Sequence, residues 1–241
     1  PNEIPLRLVG SEMCIRDSHG VAQKVEDTAN KRKLPVLDAT CPLVAKVHKE
    51  GQRYSSKGYE VVLIGHEGHP EVEGTMGRIS GDVYLVSNTE DVKLLQVKNP
   101  SKLSYISQTT LSVDDTKVVI EALKERFPEI EGPDVKDICY ATQNRQSAVR
   151  DLVGHVNLIL VVGAKNSSNS NRLRDLGEES GVDTDLIETA DDLDRKWFDN
   201  VESIGISSGA STPDELVKEV MNRISTFREI KIEMRQELKK T

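Results

Sequence analysis

Short runs of β-branched and aliphatic residues recur along the chain, and most run into a stretch of helical periodicity. Leu34–Leu37, Glu60–Gly65, Val83–Val86, Leu103–Ser107, Asn157–Gly163 and Ser203–Ser207 read as strands. Ser112–Phe127 sets apolar residues at Val113, Val118, Val119, Ile120 and Leu123, ends at Pro128, and reads as a helix. Thr212, Pro213, Asp214 and Glu215 read as a capping box with proline at the first helical position, ahead of Leu216, Val217, Val220 and Ile224. A strand followed by a crossover helix rejoins its sheet in parallel, so the alternation predicts an α/β fold with mainly parallel sheets.

The bulk numbers narrow the function. With 241 residues, 37% hydrophobic and 30% charged, the chain has a globular composition. A net charge of −8 argues against non-specific nucleic-acid binding, which needs a basic face. No stretch is long and apolar enough to span a bilayer, and the first residues lack the pattern of a secretory signal. Neither nucleic acid nor a membrane is expected as a partner. Three cysteines, Cys14, Cys41 and Cys139, make no disulfide framework and fit a reducing, cytoplasmic setting.

In parallel sheets, ligands gather at the carboxyl ends of strands. Five polar, glycine-rich segments fall there: 38–42, 65–77, 107–115, 163–172 and 208–215. In the fourth, Ser167, Ser168, Asn169, Ser170 and Asn171 lie where a strand hands over to a helix. Neutral hydroxyls, an amide and helix-start N–H groups make a cradle for phosphate or diphosphate oxygens, and no Walker lysine pattern accompanies it. In the second, His66, Glu67, His69 and Glu71 stand close together. The histidines are three apart rather than four, and Gly68 and Pro70 discourage a helix, so a zinc hydrolase is a weak reading. General acid work by Glu71 beside a histidine is an equal one. Cys41 and Cys139 both sit at loop-to-helix transitions, too far apart for a compact ferredoxin motif. A phosphate-ligand module without redox chemistry, or a zinc-dependent hydrolase, therefore remains open at this point.

The motifs SHGV, DATCPLV, GHEGHPEVEGTMG, QTTLSVDDT, DICYATQNRQ, KNSSNSNRL and GASTPD, in that order from Ser18 to Arg223, resemble the 4-hydroxy-3-methylbut-2-enyl diphosphate reductase family. The resemblance implies a trefoil of three similar α/β units, each giving one cysteine to a central 4Fe-4S cluster with one open iron. It implies reductive removal of an allylic hydroxyl as water to give isopentenyl and dimethylallyl diphosphates, the last step of the methylerythritol phosphate route. Electrons would come from a donor such as ferredoxin or flavodoxin. By resemblance, Cys41 and Cys139 are cluster ligands. Glu71 is the proton source, with Thr109 and His69 in its hydrogen-bond network. His19, His69, Ser167, Ser168, Asn169 and Ser211 hold the diphosphate. Cys41, Cys139 and the loops at Glu71, Thr109, Ser167 and Ser211 are then expected to converge on one cleft.

The family also has a cysteine in a Gly-Phe-Cys-type loop and a substrate-binding histidine upstream of SHGV, and the chain matches neither. Residues 1–17 read as a non-native segment, 18–41 as a remnant of the first α/β unit, 42–138 as the second, 139–225 as the third and 226–241 as a charged tail. On that reading the first unit is incomplete. Cys14 is not expected to replace the missing ligand, and the chain as it stands is expected to be an inactive fragment that holds a cluster poorly.

Overall fold

A computed structural model describes residues 7–8, 14–16, 18–133 and 138–233. The chain divides into two compact units, Pro1–Cys139 and Tyr140–Thr241. The first contains β1 (Arg7–Leu8), β2 (Cys14–Arg16), α1 (Gln23–Lys31), β3 (Val36–Asp38), α2 (Pro42–Ser56), β4 (Glu60–Ile64), α3 (Pro70–Met76), β5 (Val83–Val86), α4 (Thr89–Leu94), β6 (Leu103–Ser107) and α5 (Val113–Arg126). The second contains α6 (Tyr140–Val153), β7 (Leu158–Val162), α7 (Ser168–Glu179), β8 (Asp183–Ile187), β9 (Ile204–Ser208) and α8 (Asp214–Ser225).

The fold is α/β. Among the described residues, the strands form three three-stranded sheets, ordered β1-β2-β3, β5-β4-β6 and β8-β7-β9. Of their pairings only β1–β2 is antiparallel; β2–β3 and every pair of the other two sheets are parallel. The second and third sheets share one topology, with the first strand central and the next two on opposite sides. The chain therefore reverses its winding direction at β4/β6 and again at β7/β9. A crevice opens at the carboxyl ends of strands where the winding reverses.

Burial explains why the central strands are continuous apolar runs. All five residues of β4 and of β7 are buried, as expected for strands covered on both faces. Alternation sends Val62 and Ile64 toward Val119, Ile120 and Leu123 of α5, and Val61 and Leu63 toward Val47 and Tyr54 of α2. In the second unit, Leu158, Leu160 and Val162 meet Val220 and Ile224 of α8. Ile159 and Val161 meet Val149 of α6 and Leu173 and Leu176 of α7.

Several expectations need correction. The strand expected at Leu34–Leu37 is β3 and lies further along the chain. Pro70 begins a helix rather than preventing one, because the N–H that proline lacks has no partner at a first helical position anyway. The 163–172 loop ends early, since Ser168 already starts α7. Pro213 is the N-cap of α8, and no side chain caps that helix. The Thr212 hydroxyl donates instead to Val162 O at 2.9 Å, bracing the end of β7. Strand β8 is an addition, because its start, Asp183-Thr184-Asp185, is too polar to read as a strand; it lies at the sheet edge. The opening segment, without strand logic in the sequence, supplies β1 and β2. The charged tail falls partly outside the described residues, from 234 on.

Candidate active site

In the first unit, the loops after β4 and β6 flank the reversal between those strands, and they carry the acid–base candidates. Glu71, in the first turn of α3, is 1% exposed. Its carboxylate accepts from Thr109 N at 2.7 Å and from Thr109 Oγ1 at 3.0 Å. Burial pushes the Glu71 pKa up, while the two Thr109 hydrogen bonds and the charge of His19 pull against it. Thr109, also buried, accepts at its carbonyl from Cys139 N at 2.8 Å, which ties that cysteine to the acid.

His69 is the N-cap of α3, and its Nδ1 accepts from Glu71 N at 3.2 Å. It thus touches the backbone of Glu71, not its carboxylate. A ring nitrogen that accepts carries no proton, so the neutral ring holds its proton on Nε2 and can donate from there. Burial, then the charges of His19 and His66, lower the His69 pKa to about 4. The ring is therefore neutral near pH 7. His19 lies edge-on to it, with ring centres 5.5 Å apart. Cys41 is the N-cap of α2, and its N–H donates to the carbonyl of Ser18 at 3.0 Å, next to His19. His19, His69, Glu71, Thr109, Cys41 and Cys139 thus belong to one run of neighbouring contacts within the first unit. Both cysteines are free and half-buried.

Gln108 carries no signal of its own in the sequence, although it opens the QTT motif. Its buried amide accepts from His66 N at 3.0 Å and donates to Thr110 Oγ1 at 2.8 Å, so one side chain joins the Glu71 loop to the Thr109 loop. Gly65 admits that side chain: a Cβ there would meet Gln108 Oε1 at 3.2 Å.

The second unit places the polar row at the equivalent reversal between β7 and β9. Its residues divide the work. Ser167 is the N-cap of α7 and accepts from Ser170 N at 3.3 Å. Asn171 Nδ2 donates to Lys165 O at 2.7 Å and Ser167 O at 2.9 Å, bracing the loop. Ser170 is buried against Gly163 and Gly209, and a side chain on either glycine would collide with its hydroxyl. That contact brings the β7 and β9 loops together, with Ser211 exposed on the latter. Ser168 is half-buried in the first turn of α7. Asn169 is 4% exposed, and neither its Oδ1 nor its Nδ2 has a hydrogen-bond partner. A buried amide without partners costs roughly 1–3 kcal/mol, which a bound polar ligand would offset.

Among the described residues, no three His, Cys, Asp or Glu side chains group as metal ligands. His66 is exposed, while His69 caps α3 through Nδ1. The side chain of Cys14 lies outside the described residues; the backbone register sets Cys14 opposite Val36. Among the described residues, no helix is long and apolar enough to cross a membrane.

Comparison with known proteins gives a consistent result. The family model described as LytB protein matches residues 3–225. The 4-hydroxy-3-methylbut-2-enyl diphosphate reductase 1 of Rhodopseudomonas palustris is 54% identical over 223 residues, 92% of this chain and 72% of that protein. The reductase of the same name from Acidithiobacillus ferrooxidans is 59% identical over 211 residues, covering 87% of this chain and 67% of that one. Among solved structures, the E-1-hydroxy-2-methyl-but-2-enyl-4-diphosphate reductase of Plasmodium falciparum superposes with a TM-score of 0.85 at 37% identity, covering 89% of this chain and 67% of that chain. With the family model matching residues 3–225 and relatives of 54% and 59% identity covered over two thirds or more of their length, the chain belongs to the LytB protein family.

Proposed function

We infer that the chain is a 4-hydroxy-3-methylbut-2-enyl diphosphate reductase of the non-mevalonate route to isoprenoids, the activity carried in the names of its relatives. The observation that carries the chemistry is the buried Glu71–Thr109 pair. The reaction takes the allylic alcohol, two electrons and two protons, and releases water with isopentenyl or dimethylallyl diphosphate. The hydroxyl leaves far more readily once protonated. Burial keeps the Glu71 carboxyl protonated above the ordinary carboxylate range, and the two Thr109 donors receive the carboxylate once the proton has gone. Both states are thereby supported, as a general acid requires.

The proposed diphosphate contacts are His19 and a set of neutral donors: His69 Nε2, the Ser167 and Ser168 hydroxyls, Ser211 and Asn169. The Asn169 amide, buried without a partner, supports a polar ligand at that loop. The proposed cofactor is a 4Fe-4S cluster. Cys41 and Cys139 suit it as ligands, being free, half-buried and each anchored through its own amide next to a site residue. When bound, the cluster would supply electrons and a Lewis-acid iron for the hydroxyl. The proposed electron source is a small redox protein such as ferredoxin or flavodoxin, and the proposed setting is the cytoplasm. The test is anaerobic incubation of the iron- and sulfide-reconstituted protein with substrate and a strong reductant. Appearance of the two isomeric diphosphates supports the assignment; binding without C–O cleavage would favour the phosphate-ligand module.

A further inference from the structure

His19 must stand opposite His69 if both are to hold one diphosphate. Three features of the first unit fasten the loop that carries His19 to α3, the helix that begins with His69 and Glu71. Gly74 of α3 lies against the backbone of Gly20, where a Cβ would meet the Gly20 carbonyl at 3.3 Å. Gly77, the C-cap of α3, faces Ala22 so closely that a side chain would collide with it, and its carbonyl accepts from Gln23 N at 3.1 Å. The third is Arg78. Its side chain is 13% exposed, and its guanidinium reaches three partners on the far side of the seam. Nε donates to Val21 O at 2.8 Å, Nη1 to Gln23 Oε1 at 3.0 Å, and Nη2 to Glu26 Oε2 at 2.6 Å. Its own carbonyl accepts from Gln52 of α2 at 3.2 Å, which fixes the arginine backbone to the helix that Cys41 caps.

We propose that Arg78 is a positioning residue for substrate binding: it locks residues 18–23 onto α3 and so sets His19 opposite His69. The inference rests on the diphosphate role given to His19 above. A guanidinium suits the task because its planar fork serves three acceptors at once, which a lysine ammonium on a flexible stem cannot match in this geometry. The ion pair with Glu26 alone would contribute little, but the bond to the Val21 carbonyl reaches the backbone two residues from His19.

The test combines Arg78→Lys, His19→Ala and the double variant. The probes are calorimetric titration with inorganic pyrophosphate and hydrogen exchange at the Gln23 amide. Arg78→Lys should weaken pyrophosphate about tenfold, the effect of one lost charge-assisted hydrogen bond. In the His19→Ala background it should add less than about twofold, the scatter expected of independent sites. The Gln23 amide should exchange faster while the β4 amides do not change. Additive losses, or unchanged binding in Arg78→Lys where His19→Ala binds poorly, would overturn the proposal. Should His19→Ala bind pyrophosphate normally, the role of His19 fails separately, and unchanged Gln23 exchange in Arg78→Lys then overturns the role of Arg78 as well. Arg78→Gln, too short to serve the Val21, Gln23 and Glu26 acceptors together, replaces Arg78→Lys if that variant does not fold, and is judged by the same outcomes.

Discussion

Replacing Glu71 by glutamine separates proton supply from structure, because the amide preserves the shape and both hydrogen bonds. The new amide oxygen would keep the bond from Thr109 N, and the new amide nitrogen would donate to the Thr109 hydroxyl, where the carboxylate accepts from it. The net change at neutral carboxyl should therefore be under about 1 kcal/mol, the size of one exchanged neutral hydrogen bond. The pH dependence differs more. The folded-state pKa of Glu71 is raised by burial. Above the ordinary glutamate value the unfolded chain ionises first and binds fewer protons than the folded one. Stability due to this group is full below the unfolded value and falls as pH rises toward the folded one. Glu71→Gln removes that loss, so thermal unfolding followed from about pH 4 to 8 should show the variant gaining on the parent as pH rises. Turnover should fall about 10²–10⁴-fold, or ~2.7–5.5 kcal/mol of barrier, the usual share of a general acid. Pyrophosphate affinity should stay unchanged. Near-normal turnover would remove Glu71 from the chemistry, and a variant that loses ground as pH rises would show that the fold favours the carboxylate.

Other outcomes follow from the same geometry. His69 has its pKa lowered to about 4, so the unfolded chain takes up this proton first as pH drops below the ordinary histidine value. Stability should rise between about pH 4 and 6.5, His69→Gln should flatten that rise in thermal unfolding, and histidine NMR should show the ring neutral at about pH 7. Asn169→Leu, which removes the unpartnered buried amide, should raise the melting temperature of the ligand-free protein while abolishing pyrophosphate binding; a clear drop in stability would show that the amide has partners after all. Gly163→Ala should destabilise by about 1–3 kcal/mol in urea unfolding, since the new methyl collides with Ser170. Leu160→Ala, in the middle of a wholly buried strand, should cost about 2–5 kcal/mol in the same assay.

What can be read from the sequence follows from where physical signals are local. Fully buried strands announce themselves, so β4 and β7 at the sheet centres, and β6 beside β4, are visible there. The edge strand β8 is not, because its start is polar and solvent on one side removes the need for apolar residues. Helix α3 is hidden because glycine and proline look like breakers when their position in a cap is unknown. The acid–base residues stand out through family motifs and loop placement. Their partners are harder: the roles of Gln108, Arg78 and Ser170 depend on contacts 42, 57 and seven or more residues away in sequence, which no local pattern encodes.

Cys41 and Cys139 offer the most direct test of an iron–sulfur centre. Reconstituted with iron and sulfide without oxygen, the protein should take up iron at less than one full cluster per chain and turn faintly brown, with visible absorption and bound iron that are lost on Cys41→Ser or on Cys139→Ser. Cys14→Ser, made in parallel, should leave both unchanged. A colourless protein, or a brown one indifferent to Cys41 and Cys139, would contradict the assignment of these residues to an iron–sulfur centre.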